Sequence, residues 1–280
     1  MKTETNEFTE ACFENYLKLV HKLTGITIGK NRRSMVSGRV RGRLAKLEIS
    51  SYSDYLDYVK ENSPEEEFFI NAMTTNETYF YRTPRVWDFV TKELLSNWDN
   101  KNKLNIWSAA SSTGEEAYTL GIVCEDHKSS YPSFTYKVTG TDISTKVTKV
   151  ATDGCYIGRA VERFRQTKPD LFKKYMKGDD ENGYKVLSQI KSNIKFTNHN
   201  LFKLFSSSER FDLILLRNVL IYFTKEDQEK VVANIHKCLK PNGYLIIGES
   251  ESLSRINTDF DAASPLIYSS NQNKKVQEAS

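Results

Sequence analysis

The side chains best suited to chemistry stand at or just after the ends of segments that read as strands. Ser108-Ala-Ala-Ser-Ser-Thr-Gly-Glu-Glu116 follows a run that starts at Leu104, and Asp142 ends the run from Tyr136. Arg217-Asn218, with Tyr222 just beyond, follows Phe211-Asp-Leu-Ile-Leu-Leu216. In an open parallel sheet, ligands bind beyond the carboxyl ends of the strands, so these are positions that can meet one. The small residues after Ser108 let backbone approach a ligand closely. The segment is not G-x-G-x-x-G, which argues against a dinucleotide pyrophosphate. Glu115 and Glu116 at a helix start are hostile to phosphate and suit a cationic or hydroxyl-rich ligand. An acid placed like Asp142 accepts hydrogen bonds from a ribose hydroxyl pair. A ribose acceptor without a phosphate cradle indicates a nucleoside ligand, and S-adenosylmethionine fits. The [N/D]-P-P-[Y/F] expected of enzymes that methylate base amino groups does not follow the strand ending at Leu216.

Each feature also has an ordinary use. Ser108–Glu116 reads equally as a strand–helix turn with acids favoured by the helix dipole. Asp142 reads as a helix N-cap, Tyr222 as packing, and Thr74–Arg82 as a linker that ends a helix. What separates the readings is the common order of these features on one α/β frame.

That frame is visible along the chain. Leu104–Ala110, Tyr136–Asp142, Ile194–Thr197, Phe211–Leu216 and Tyr244–Gly248 read as strands, with Pro265–Tyr268 as a last, edge strand. Helices are expected at Gly114–His127, Ile143–Asp153 and Lys225–Leu239, the last stopped by Lys240-Pro-Asn-Gly243. Strand–helix alternation implies a parallel sheet covered on both faces. Gly154–Ser192 fits this pattern poorly and reads as an irregular connection with a small β excursion. The first 75 residues read as helical. Phe13, Tyr16, Leu17 and Val20 share one face, and Val36, Val40, Leu44 and Leu47 form another apolar stripe. Tyr52–Lys60, with Ser51 or Ser53 as cap, and Glu65–Met73 after Pro64 complete the set.

With 280 residues the chain makes one large domain or two smaller ones. Its 39% hydrophobic and 27% charged residues exclude a disordered or collagen-like chain. No apolar run approaches the roughly 20 residues that span a bilayer, and the N-terminus does not read as a secretory signal. Cys12, Cys124, Cys155 and Cys238 are far apart and form no CxxC pair, so neither a metal site nor a disulfide framework is expected, and a cytoplasmic setting is. The net charge of +4 is too weak to indicate a nucleic-acid partner. Between Lys30 and Lys46, however, seven basic residues occur with no acid. Arg32, Arg39, Arg43 and Lys46 fall on one stripe, which is expected to be exposed and reads either as a solvated face or as a docking patch.

Over essentially its whole length the chain resembles the CheR family of chemotaxis receptor methyltransferases. The resemblance rests on Thr74-Thr-Asn-Glu-Thr-Tyr-Phe-Tyr-Arg82, Trp107–Tyr118, Gly140-Thr-Asp-Ile143, Arg217-Asn-Val-Leu-Ile-Tyr-Phe223, Leu239-Lys-Pro-Asn-Gly243 and Gly248-Glu-Ser-Glu-Ser-Leu253. The first and fourth runs are specific to the family, whereas L-K-P-x-G is shared by many Rossmann-like methyltransferases. Two departures are visible: Ala117 where many members have Pro, and Thr83 where an acid is common.

The resemblance implies an α/β fold: a small all-helical N-terminal domain (1–75) for receptor recognition and a linker (76–100) that contributes to the cofactor pocket. A Rossmann-like S-adenosylmethionine-dependent methyltransferase domain (101–270) follows, with a β-subdomain insertion at about 175–192 and a frayed tail (271–280). It implies cofactor contacts from Asn76, Thr78, Arg82, Glu116, Asp142, Asn200, Leu201, Arg217 and Asn218, with Arg82 and Tyr222 nearest the transferred methyl. It implies that glutamates on cytoplasmic chemoreceptor helices accept the methyl, leaving S-adenosylhomocysteine, and that Arg32, Arg39, Arg43 and Lys46 dock those acidic helices. A monomer without metal, nucleic acid or membrane insertion is expected. A receptor C-terminal peptide at the β-subdomain stays open. So do two alternatives, a methyltransferase with another substrate and a cofactor-sensing scaffold without turnover.

Overall fold

A computed structural model describes residues 7–270; the expectation of a frayed tail at 271–280 lies outside the described residues. The chain opens with α1 (Glu10–Thr24), α2 (Arg33–Leu47), α3 (Tyr52–Glu61) and α4 (Ser63–Met73). Local chemistry sets their ends. Thr9 caps α1 by accepting from Cys12 N, and Ser51 caps α3 by accepting from Asp54 N. Gly25 stops α1 in the left-handed region at φ +74°, and a Cβ there would lie 1.9 Å from the Phe202 ring. Phe13, Tyr16, Val36, Val40, Tyr55 and Phe69 are fully buried in one small core, so the apolar stripe of α2 faces inward as its spacing requires.

The basic stripe of α2 is not uniformly free, which corrects the expectation for Arg43. Glu65 on α4 is 3% exposed, and its carboxylate accepts from Arg43 Nε at 2.9 Å and Nη2 at 2.5 Å and from Tyr55 Oη at 2.7 Å. The Arg43 guanidinium also lies 4.2 Å from the Phe68 ring centroid. A buried carboxylate must be paired, and Arg43 is the cation within reach. Arg39 is half-buried as well, donating to Met73 O at 2.7 Å and Thr75 Oγ1 at 3.1 Å. Arg32 and Lys46 are exposed.

After α4 come α5 (Pro84–Asp88), which widens into a π-helical turn at Phe89–Leu95, then β1 (Leu104–Ala109), α6 (Glu115–Ser130), β2 (Tyr136–Asp142) and α7 (Thr145–Asp153). The next stretch holds β3 (Cys155–Tyr156), α8 (Arg159–Thr167), α9 (Pro169–Tyr175), β4 (Met176–Asp179), β5 (Gly183–Val186) and α10 (Ser188–Lys191). The chain closes with β6 (Ile194–Asn198), β7 (Phe211–Leu216), α11 (Lys225–Cys238), β8 (Leu239–Ile247), β9 (Phe260–Ser264) and β10 (Ile267–Ser270). The main sheet is ordered β6-β2-β1-β7-β8-β10-β9, parallel from β6 to β8 and antiparallel at β10 and β9. β1 and most of β7 are buried on both faces, which is why they read as continuous apolar runs.

Three details differ from the sequence reading. Lys240-Pro-Asn-Gly243 ends α11 as expected but lies inside β8, where the β7–β8 register shifts and Asn242 takes φ +62°. The edge strand is β9, not the segment around Tyr268. The β excursion is a three-stranded sheet ordered β3-β5-β4, so it reaches back to Cys155 and encloses α8 and α9.

Because Arg43 neutralises a buried acid, Arg43→Ala is expected to cost about 3 kcal/mol of stability. Chemical denaturation checks this; a change below 1 kcal/mol would show that the pair does not carry the helical core.

Candidate functional site

A cavity of about 510 Å³ opens at the carboxyl ends of β1, β2 and β7. All ten residues expected in a cofactor or reaction role line it: Asn76, Thr78 and Arg82 from the linker, Glu116 from α6, and Asp142 from β2. Asn200 and Leu201 come from the turn after β6, and Arg217, Asn218 and Tyr222 from the turn after β7. Of the basic stripe, Arg32 and Arg39 reach the cavity; Arg43 and Lys46 do not line it.

Asp142 is 6% exposed. Its Oδ2 accepts from Ser112 N and its Oδ1 from Ser144 N, both at 2.9 Å. Burial pushes its carboxyl above the ordinary value, while these backbone amides pull it back. It is not the N-cap of α7: Ser144 fills that place, accepting from Val147 N. Asp142 instead ties the end of β2 to the turn after β1, where Ala110 and Ser112 take positive φ. The same turn binds the linker, since Ser112 Oγ donates to Asn76 O at 2.8 Å.

Arg217 and Glu116 form a buried pair. Nη1 donates to Glu116 Oε2 at 2.8 Å, with side chains 1% and 12% exposed. Ser108 Oγ donates to Glu116 Oε1 at 2.7 Å, and Arg217 Nη2 donates to Arg82 O at 2.9 Å. Of the two glutamates at the start of α6, only Glu116 faces the cavity. Glu115 turns inward and accepts from Thr113 Oγ1, and burial pushes its carboxyl up.

Arg82 is held by fewer hydrogen bonds than Arg217. Nη1 donates to Glu77 O at 3.3 Å, and the guanidinium lies 5.5 Å from the Tyr79 ring centroid. Tyr222 ends a short 3₁₀ turn, Leu220–Tyr222, and is partly exposed. Arg39 is close enough to feel the Tyr222 phenol electrostatically. The polar atoms of Asn200 are used structurally: Nδ2 donates to Leu23 O at 2.9 Å, and Oδ1 accepts from Phe202 N at 3.0 Å.

Sequence reasoning missed part of the wall. Ile26, Thr27 and Met35 of the helical region line the cavity, so that region helps to build the site. Gly25 ends α1 and opens this loop, and nothing in the local sequence shows where the loop docks. His199 also lines the cavity, packed on Trp107 and Phe205; burial lowers its pKa and keeps the imidazole neutral at pH 7.

The cavity suits a nucleoside of the size of S-adenosylmethionine. Its volume lies in the usual range for small-ligand sites. Asp142 keeps lone pairs free for hydroxyls after its two amide bonds. The acid of α6 that faces the cavity, Glu116, is paired with Arg217, so that guanidinium is already neutralised.

A family model described as CheR methyltransferase, SAM binding domain, matches residues 76–268. Another, described as CheR methyltransferase, all-alpha domain, matches residues 11–74. The chemotaxis protein methyltransferase of Salmonella typhimurium is 30% identical over 278 residues, spanning 97% of this chain and 94% of that protein. The Escherichia coli protein of that name is 30% identical over 271 residues, spanning 95% and 93%. The Borreliella burgdorferi one is 27% identical over 287 residues, spanning 97% and 100%.

S-adenosylhomocysteine is expected to bind more weakly as the solution is acidified, beginning at a pH above that at which an exposed aspartate takes up its proton. The raised pKa of Asp142 makes it take up its proton there and lose acceptor strength. Asp142→Asn should bind weakly at every pH and show no such dependence. Isothermal titration over pH is the measurement, and a pH profile shared by the two proteins would remove Asp142 from the role.

Proposed function

This chain belongs to the CheR methyltransferase family, and we propose that it methylates glutamate side chains on the cytoplasmic helices of chemoreceptors. The observation that supports this most is one cavity with two kinds of wall. Asp142 and the 110–114 turn suit a nucleoside, while Arg82, Arg32 and Arg39 give the same cavity a cationic side suited to an acid. Tyr222 lines the same cavity. The names of the relatives agree with such a substrate.

When bound, S-adenosylmethionine supplies an electrophilic methyl: a carboxylate oxygen forms the ester C–O bond, the S–CH₃ bond breaks, and the thioether leaves neutral. No proton moves. A glutamate is already ionised at neutral pH, so this chain has no need of a strong base. Its contribution is positioning, which lowers a barrier by several kcal/mol when reacting groups are held in line. In this reading Arg82 holds the incoming carboxylate. Its few competing bonds leave guanidinium N–H groups free for two parallel hydrogen bonds. Tyr222 offers a hydroxyl beside the reacting atoms. Asn76, Thr78, Asn200, Leu201 and Asn218 shape the nucleoside wall, and the Arg217–Glu116 pair holds that wall rigid.

Arg32 and Lys46 carry the docking role proposed for α2, with Arg39 at the rim. The β-subdomain leaves β4 at its edge, and a receptor C-terminal peptide adding a strand there would tether the enzyme. Among the described residues no helix is long and apolar enough to cross a membrane. A cytoplasmic enzyme that visits its receptor fits this reading.

Tyr222→Phe and Arg82→Ala are expected to lower kcat on a receptor cytoplasmic fragment while leaving the thermal midpoint unchanged. Unchanged rates would reject both role assignments. Labelled methyl should appear on the fragment as a base-labile ester. Label on another protein or a small molecule instead would overturn the substrate and keep the methyltransferase. Arg32→Glu combined with Lys46→Glu should raise KM for the fragment several-fold at low salt, and the effect should shrink as salt screens exposed charges.

A further inference from the structure

We infer that Glu251 is a positioning residue for methyl transfer, through the turn that carries Asn218 and Tyr222. The inference rests on the reading above, in which those two residues face the cofactor and the reacting atoms.

The Glu251 carboxylate is 9% exposed and gathers four backbone N–H groups. Oε2 accepts from Asn218 N at 2.9 Å and from Gly248 N at 2.5 Å. Oε1 accepts from Val219 N at 2.8 Å and from Leu220 N at 2.7 Å. Three successive amides just past the tip of β7 and one at the tip of β8 therefore converge on one anion, a nest of the kind that holds charge without a cation. Both oxygens are used twice, which fills the acceptor capacity of a carboxylate.

A second observation is independent of those bonds. A Cβ on Gly248 would lie 2.7 Å from Glu251 Oε2 and 2.8 Å from both Asn218 N and Asn218 Nδ2. Only glycine lets the two strand tips close this far around the carboxylate. The arrangement holds Asn218 at φ +59°, in the left-handed region that asparagine adopts more readily than other non-glycine residues. Tyr222 N then donates to Val219 O at 3.1 Å, so the tyrosine turns with the residues that Glu251 grips.

The sheet itself does not depend on this carboxylate. Leu213–Leu216 are fully buried and pair with β1 and β8 on either side. Loss of the Glu251 charge is therefore expected to loosen the turn and leave the strands in place. The neighbouring Glu249 grips the other wall, accepting from Thr83 Oγ1 at 3.2 Å and pairing with Arg85 at 3.4 Å. The Gly248–Glu251 turn thus stands between the linker that carries Arg82 and the turn that carries Tyr222.

Glu251→Gln is the test, because the amide keeps the shape but turns an NH₂ group toward N–H donors. It is expected to weaken S-adenosylhomocysteine binding about tenfold in the wild-type background and less than about twofold in an Asn218→Ala background, the coupling expected of a residue that acts through another. Turnover on a receptor fragment should fall about 10- to 100-fold, as a misplaced reacting group costs, and by less than about twofold when Tyr222 is already Phe. Gly248→Ala pries the same turn from the β8 side and should show the same coupling, which keeps the test open if Glu251→Gln folds poorly. Equal losses in both backgrounds, or no loss with a lowered thermal midpoint, would reduce Glu251 to a structural residue and overturn the proposal. If the wild type binds S-adenosylhomocysteine but methylates no receptor fragment, the substrate reading fails while the binding cycle still decides the role of Glu251.

Discussion

A guanidinium that is 1% exposed cannot stand alone, and the arrangement of the site follows from how Arg217 is satisfied. Its partner is Glu116, on the first turn of α6, and its second contact is the carbonyl of Arg82 in the linker. Ser108 at the end of β1 completes the carboxylate. One charge pair therefore joins β7, β1, α6 and the linker. Such a pair adds little net stability over an apolar packing, because desolvation offsets the attraction. What it adds is a single orientation, since removing either partner would strand the other charge. Trp87 Nε1 donates to the same Arg82 carbonyl at 3.0 Å, so the linker backbone is fixed from two sides while the Arg82 side chain stays available.

The helical region is part of this machinery. Thr27 N donates to Tyr222 O at 2.8 Å, and Asn200 reaches Leu23 O. His21 on α1 meets Asp227 at the start of α11 at 2.7 Å. Burial alone would raise the Asp227 carboxyl, but His21, Thr224 and Lys230 together hold it below the usual range. A depressed acid stabilises the folded state above the ordinary carboxylate range and loses that contribution as pH falls through its own lower value. The end of α1 and the loop after it are thus bonded to α11, to the turn after β6 and to the turn that carries Tyr222.

Most of the frame was legible in the sequence: Phe211–Leu216, buried almost throughout, reads as a nearly unbroken apolar run, and both it and the more mixed Tyr136–Asp142 were found with their observed bounds. Glu116, Asp142, Arg217, Asn218 and Tyr222 were legible because polar side chains at the end of a strand stand where a ligand can bind, whereas Asn76, Thr78, Arg82, Asn200 and Leu201 were expected only from the family resemblance. Arg43 was misread because helical periodicity places a residue on a face and says nothing about what a neighbouring helix brings to that face. Glu65 lies 22 residues away and looked like a first-turn acid on α4. The role of Ile26 and Thr27 was hidden for the same reason, since their contact with the turn after β7 spans nearly 200 residues of sequence. β9 and α8 were missed because their apolar content is low: only Phe260 is buried in β9, and only Val161 and Phe164 in α8.

Backbone strain marks the same region that the charges organise. Among the described residues, eight that are not glycine take positive φ, and five of them, Tyr81, Thr83, Ala110, Ser112 and Asn218, lie in the linker or just past β1 and β7. Strain of this kind persists only where surroundings over-determine it, and here most of the restraints can be named. Tyr81 N donates to Thr119 Oγ1, Thr83 Oγ1 donates to Glu249, Ser112 N donates to Asp142, and Asn218 N donates to Glu251. Three of the four restraints are carboxylates that accept from linker or strand-end donors, and each belongs to a segment other than the one it restrains. The acids that would look like surface or ligand groups in isolation are thus also the fasteners of the cavity wall. Asp142 shows this most directly: its two amide bonds fix the turn after β1, and the same carboxylate lines the cavity that the turn borders.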